Sequence, residues 1–146
     1  MSKESTEITR PTFEQIYMRL AFSLAERSTC SRKKVGSVIS TTDFRQIIAI
    51  GYNGNASGLP NHCDFPDESG SCGCLHSVDN LCLSCSSPRE TKKIVFITAI
   101  PCRMCSKRLI NLGGVIKVYF SQDYRDRSGL DLLESVGIVV ENLILS

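Results

Sequence analysis

From Lys93 onward the chain alternates strand and helix, and this alternation restricts the fold more than any other feature. Apolar, β-rich runs at Lys93–Thr98, Ile116–Ser121 and Ile138–Leu143 are separated by helical segments at Cys102–Asn111 and Gly129–Val136. Gly113-Gly114 and Gly137 stand where those helices must stop. Strands joined through helices run parallel, with right-handed crossovers. The last three strands are therefore expected to be parallel neighbours in one sheet.

The first half differs. Phe13, Ile16, Tyr17, Leu20, Ala21 and Leu24 recur at three- and four-residue steps and predict a helix. Thr12 and Gln15, just after Pro11, read as its capping box. Val35–Thr41 and Gln46–Tyr52 then flank a polar turn, Thr42-Asp43-Phe44-Arg45, and predict an antiparallel hairpin. Residues 53–75 are rich in Gly, Asn, Pro, Asp and Ser. A loop of that length is uncommon unless it is functional or tied down. A helix over Ser77–Ser86 follows. The order predicts an α/β fold: a mixed sheet of about five strands, covered by helices on both faces. At 146 residues it is a single domain, with residues 1–10 polar and flexible.

Hydrophobic residues are 42% of the chain and charged residues 22%, which excludes disordered, collagen-like and coiled-coil classes. No apolar run approaches the roughly 18–20 residues of a membrane span. Met1–Ser5 lacks an apolar export segment, so the expected location is cytoplasmic, the host cytoplasm if the chain is phage-encoded. A net charge of +2 argues against a nucleic-acid partner, and Arg32-Lys33-Lys34 reads as a solvated face. Eight cysteines are then the unusual number. Disulfides are rare in the cytosol, which leaves buried filler, metal ligands or nucleophiles.

Pro101-Cys102-Arg103-Met104-Cys105 follows a strand, and its thiols sit at a helix start, where free N–H groups and the dipole lower thiol pKa. Alone, C-x-x-C fits a redox pair, half a zinc knuckle or two core cysteines. His76 begins another helix upstream. A His, Cys, Cys set leaves a fourth tetrahedral position for water, as catalytic zinc sites require. The pattern H-x-E…P-C-x-x-C marks zinc nucleobase deaminases, and here His76-Ser77-Val78 precedes Pro101–Cys105.

On these residues the chain resembles the cytidine deaminase-like superfamily, and within it the deoxycytidylate (dCMP) deaminases of phage or bacterial type. Ser28–Arg32, Val35–Ile39, Gly51-Tyr52-Asn53-Gly54 with Gly58, and His62-Cys63-Asp64 extend the likeness over about Pro11–Leu143. The resemblance implies a three-layer α/β/α fold and zinc-dependent hydrolysis of dCMP to dUMP, which supplies thymidylate synthesis. It implies catalytic zinc on His76, Cys102 and Cys105. It also implies a Glu two residues after the ligand His, shuttling protons. This chain has Val78 there. Asp79 is a poor substitute, since one helical step turns it about 100° away. The chain is therefore expected to deaminate weakly or not at all. A Glu→Val substitution made by design and a natural silent nucleotide-binding homologue both fit, and the intactness of the rest favours the first.

The resemblance further implies a structural zinc on Cys30, His62, Cys72 and Cys74, with Cys30 ending the first helix and Cys63 a spare that could replace one ligand. Cys82 and Cys85 read as core or interface packing. Asn53 is implied to bind the sugar; an Asx turn at Asn53-Gly54 is the structural alternative. The Ile100 carbonyl is implied to accept from the exocyclic amine, Tyr124 to touch the base, and Arg125 or Arg127 to meet the 5′-phosphate. The resemblance also implies a homohexamer activated by dCTP and inhibited by dTTP, with Mg²⁺ on the triphosphate, as is common in the family. Gly51, Tyr52, Asn53, Gly54 and Gly58 resemble the regulatory nucleotide segment.

Overall fold

In a computed structural model, residues 9–67 and 72–145 are described. Most of the stretch expected to be flexible, residues 1–8, lies outside them. The elements are α1 (Phe13–Ala25), β1 (Gly36–Thr41), β2 (Ile47–Tyr52), α2 (Ser77–Ser84), β3 (Lys93–Ala99), α3 (Arg103–Leu112), β4 (Val115–Gln122), α4 (Ser128–Ser135) and β5 (Val139–Asn142). They form one sheet in the order β2-β1-β3-β4-β5. β1 pairs antiparallel with both β2 and β3, while β3, β4 and β5 run parallel. This is the expected mixed sheet, with β3 at its centre.

The layers follow from the alternation of side chains along β3. Val95 and Ile97 point into a core shared with Leu81 of α2, Leu109 of α3 and Leu130 and Leu133 of α4. Ile94 and Phe96 point into the opposite core, beneath Tyr17, Met18 and Ala21 of α1. Three helices thus cover one face and a single helix the other. All seven residues of β3 are buried, as a strand covered on both faces requires.

The N-terminus of α1 is closed by the expected box. Thr12 Oγ1 accepts from the Gln15 N–H at 3.1 Å, and Gln15 Oε1 accepts from the Thr12 N–H at 2.9 Å. Some boundaries move. α2 stops at Ser84 rather than Ser86, because Cys85 turns extended ahead of the Pro88 loop. α1 ends at Ala25, so Cys30 lies in the irregular connection beyond it. Cys82 and Cys85 are half-buried against the larger core, in line with a packing role.

Lys93 opens β3 with its side chain fully buried. Its Nζ donates to the carbonyls of Pro88, Thr91 and Gly113 at 3.0, 2.8 and 2.8 Å. Burial draws its pKa down, but all three donors are used. One side chain therefore fastens the loop before β3 to the C-terminal end of α3.

Candidate metal centres

The first centre lies at the N-termini of two neighbouring helices. His76 is the N-cap of α2 and Cys102 the N-cap of α3, with Cys105 in the first turn of α3. The approach to His76 is pinned to the end of β2: Gly54 and Leu75 exchange backbone hydrogen bonds of 3.1 and 2.8 Å. α2 then rests directly on β2. A Cβ on Gly51 would stand 2.6 Å from the Ser77 carbonyl oxygen, so only glycine admits the helix there. The α3 end is held in a similar way, since a Cβ on Gly129 would stand 2.2 Å from the Pro101 carbonyl oxygen. Both ligand-bearing termini are fixed by close packing rather than by loops.

His76 Nδ1 lies 3.2 Å from Cys105 Sγ and 3.7 Å from Cys102 Sγ. The three ligand atoms fall within 4.8 Å of one another. Zinc at about 2.3 Å from sulfur and about 2.0–2.1 Å from nitrogen would set tetrahedral neighbours about 3.6–3.8 Å apart. The donor set fits such an ion and leaves a fourth position. The electrostatics also suit a cation. The Cys102 thiol is drawn down to about 3, because the Cys105 thiol donates to it and His76 adds a second hydrogen bond. Cys105 is pushed up by the same contact and by burial. His76 is held up, first by its bond to Cys102.

A cavity of about 360 Å³ opens at this centre. That is within the ordinary range for a small-molecule site. Val78 lines it, fully buried, and offers only methyl groups. Asp79 is not among the lining residues. One of its oxygens accepts from the His76 N–H at 2.8 Å, and the other pairs with Arg108 Nε at 2.7 Å.

The substrate residues read from the sequence divide. Asn53 and Ile100 line the cavity. The Asn53 amide makes a long-range clamp rather than an Asx turn. Its Oδ1 accepts from the Val35 N–H at 2.8 Å, and its Nδ2 donates to the Lys33 carbonyl at 2.6 Å. Tyr124 and Arg125 are exposed after β4 and do not line the cavity. Tyr124 meets it only through Lys33, whose ammonium lies 4.0 Å from the ring centroid. Arg127 is paired with Asp123. The cationic groups on the cavity are instead Arg32 and Lys33, and burial draws the Lys33 pKa down. Arg32, Lys33 and Lys34 are exposed, as the reading of a solvated face expects, and the first two also border the cavity.

The segment likened to a regulatory site is also mixed. The space beside Gly51 is filled by α2, and Gly54 is bridged to Leu75. Tyr52 lies under the Arg27 guanidinium, 5.9 Å from the ring centroid. Gly58, at φ +91°, has open space around it.

The second cluster takes Cys63, the spare thiol, in place of His62. The structure brings together Cys30, Cys63, Cys72 and Cys74. His62 is exposed, with its Nδ1 3.0 Å from the Cys63 carbonyl oxygen, and stands outside the group. His62 sits in a tight turn, its N–H bonded to the Pro60 carbonyl at 2.9 Å, while the next residue, Cys63, is buried. Sγ–Sγ distances of 3.6 Å join Cys30 to Cys72, Cys30 to Cys63 and Cys63 to Cys74. These are far too long for disulfides, and close to the roughly 3.8 Å edge of a zinc-thiolate tetrahedron. Cys63 is drawn down to about 6 by the Ser31 hydroxyl and then the Ser31 N–H, at 3.5 and 3.4 Å. Cys72 and Cys74 also line the cavity, so the two centres share a wall.

Residues 11–122 match the family described as the cytidine and deoxycytidylate deaminase zinc-binding region. The chain belongs to that family. Deoxycytidylate deaminase of Saccharomyces cerevisiae is 32% identical over 94% of this chain and 47% of its own length. The chain thus spans about half the length of that relative. ComE operon protein 2 of Bacillus subtilis is 34% identical, covering 93% of this chain and 74% of its own. The dCMP deaminase of cyanophage S-TIM5, crystallised with dCMP and dUMP, superposes with a TM-score of 0.81 at 33% identity, covering 93% of this chain and all of that one. The cytidine deaminase-like fold of this family member is therefore established, and its first centre is compatible with zinc. Among the described residues, no helix is long and apolar enough to cross a membrane.

Proposed function

We propose that this chain is a dCMP deaminase scaffold, built to hydrolyse dCMP to dUMP and ammonia, with the chemistry disabled at Val78. The observation that carries the reading is the three-donor centre opening onto a cavity lined by Val78. Zinc on His76, Cys102 and Cys105 would supply a water acidified toward neutrality as nucleophile. The chain's own contribution is binding, orientation and proton transfer. Asn53 would offer its remaining hydrogen-bonding capacity to the sugar, and the Ile100 carbonyl would accept from the exocyclic amine. Arg32 and Lys33, rather than Arg125, would meet the 5′-phosphate. Proton transfer is the step that fails. Valine carries no exchangeable proton, and both oxygens of Asp79 are engaged elsewhere. Losing a positioned acid/base costs about 100- to 10,000-fold in rate.

The same proposal includes a structural zinc on Cys30, Cys63, Cys72 and Cys74. From the resemblance it also takes dCTP and dTTP as regulators with Mg²⁺, a homohexamer and a cytoplasmic location. Val78 favours one second reading: a silent homologue that binds dCMP, dCTP or dTTP without turnover.

Ammonia release from dCMP, with dCTP and Mg²⁺ present, tests the proposal on this chain beside Val78→Glu. The variant is expected to gain about 100- to 10,000-fold. Equal turnover by both chains would show that the proton route does not pass through position 78. If neither turns over while nucleotide still binds, the silent-binder reading takes over.

A further inference from the structure

The ion pair between Asp79 and Arg108 lies directly beneath the first centre. His76 caps α2 and Asp79 lies in its first turn three residues on, while Cys105 and Arg108 are three residues apart on α3. Cys105 and Arg108 at that spacing share a face of α3, and the N-cap geometry of α2 brings Asp79 back to the His76 backbone. The two helices therefore face each other in two rungs. The upper rung is His76 Nδ1 to Cys105 Sγ at 3.2 Å, and the lower is Asp79 Oδ1 to Arg108 Nε at 2.7 Å.

The lower rung is also hydrogen-bonded to the residue that carries the upper one. The second oxygen of Asp79 accepts from the His76 backbone N–H at 2.8 Å. The carboxylate thus grips the peptide that carries the ligand while reaching across to the helix that carries the two thiols. The Asp79 side chain is only 15% exposed, against 43% for Arg108, so the carboxylate is the sheltered half of the pair. Nothing else in the deamination chemistry uses it.

We propose that Asp79 and Arg108 are positioning residues for the metal centre, setting the separation of His76 from Cys102 and Cys105. The inference rests on the zinc reading of that centre. Outer partners that orient metal ligands typically govern metal affinity by about 10- to 100-fold. The pair also explains why an acid one residue past Val78 gives no proton shuttle: its two oxygens already hold the frame.

The test is zinc release to a chromophoric chelator, followed on the full chain. Two phases are expected, and Cys102→Ser identifies the one that belongs to the first centre. Asp79→Ala is expected to weaken that phase about 10- to 100-fold and leave the other unchanged. Arg108→Ala should weaken the same phase by a smaller factor, and Arg108→Lys should restore part of it. Asp79→Asn keeps an acceptor for the His76 N–H but weakens the pair, so it serves if Asp79→Ala does not fold. A role confined to stability would lower the thermal transition without separating the phases. If Asp79→Ala and Asp79→Asn both hold first-centre zinc within about twofold of the unchanged chain, the positioning role is wrong. If Cys102→Ser removes no phase, the zinc reading fails and takes this inference with it.

Discussion

The two cysteine-rich centres share a cavity wall but are built by opposite means. The first hangs on the N-termini of α2 and α3, which are seated by close glycine contacts on β2 and α4 respectively and joined by the Asp79–Arg108 pair. Its three donors would stay near their positions without an ion. The second draws Cys30 from the connection after α1 and its other three thiols from the long segment between β2 and α2. Among its described residues that segment forms no helix and no strand beyond the Gly54–Leu75 bridge, and it is held by scattered hydrogen bonds: Ser31 to Cys63, the Phe65 N–H to the Cys72 carbonyl, and the Asn55 amide to the Pro60 and His62 carbonyls and the Asp64 carboxylate. A donor set on a rigid frame can leave a coordination position open for chemistry. A donor set on a loop must spend every position on holding the loop.

The contrast predicts unequal penalties. Cys63→Ser should lower zinc content by about one equivalent and destabilise the fold by on the order of 4–5 kcal/mol, the range reached when a structural metal is lost. Cys102→Ser should also lose about one equivalent, yet cost only about 2–3 kcal/mol when free zinc is near a hundred times its dissociation constant. Metal analysis with thermal unfolding of both variants decides the matter. Equal losses would mean that the first centre is as structural as the second.

Much of this was legible in the sequence, and the unevenness has a physical cause. Strand–helix alternation, the Thr12–Gln15 box and the hairpin turn are local signals, and the structure has them all. His76, Cys102 and Cys105 were equally legible, because a motif at a helix start fixes its own geometry. The second centre depends on how an irregular loop closes, which no periodicity encodes, and so His62 was chosen over its neighbour. Which cations border the cavity is hidden in the sequence for the same reason. Tyr124 and Arg125 follow a strand end in sequence, but Arg32 and Lys33 are carried to the cavity by the Asn53 clamp across the sheet edge.

The frame beneath the first centre can be probed at Lys93. Lys93→Met removes a buried donor from three carbonyls at once. It should cost about 1–3 kcal/mol, the penalty for buried polar groups left without partners. Because Lys93 anchors the far end of α3, first-centre zinc affinity should fall in step with stability while second-centre affinity holds. Denaturant unfolding beside zinc titration measures both. A drop confined to the second centre would contradict the separation of frame and loop.

The smallest expected effect is the most discriminating for the loop. His62 and Cys63 are adjacent, and in the proposed four-ligand site the grouping of the thiols assigns the fourth place to Cys63. His62 is exposed, and its ring contact is with the neighbouring Cys63 carbonyl. An exposed side chain of that kind costs within about 0.5 kcal/mol when truncated. His62→Ala should therefore keep its full zinc content and unfold close to the unchanged chain. Cobalt substitution sharpens the comparison, because a four-thiolate site and a site with three thiolates and an imidazole differ in their ligand-field bands. His62→Ala should leave the cobalt spectrum of the second centre unchanged, whereas Cys63→Ser should abolish it. Loss of a metal equivalent in His62→Ala would return the imidazole to the ligand set. It would also mean that the loop closes with the opposite residue of the pair turned inward.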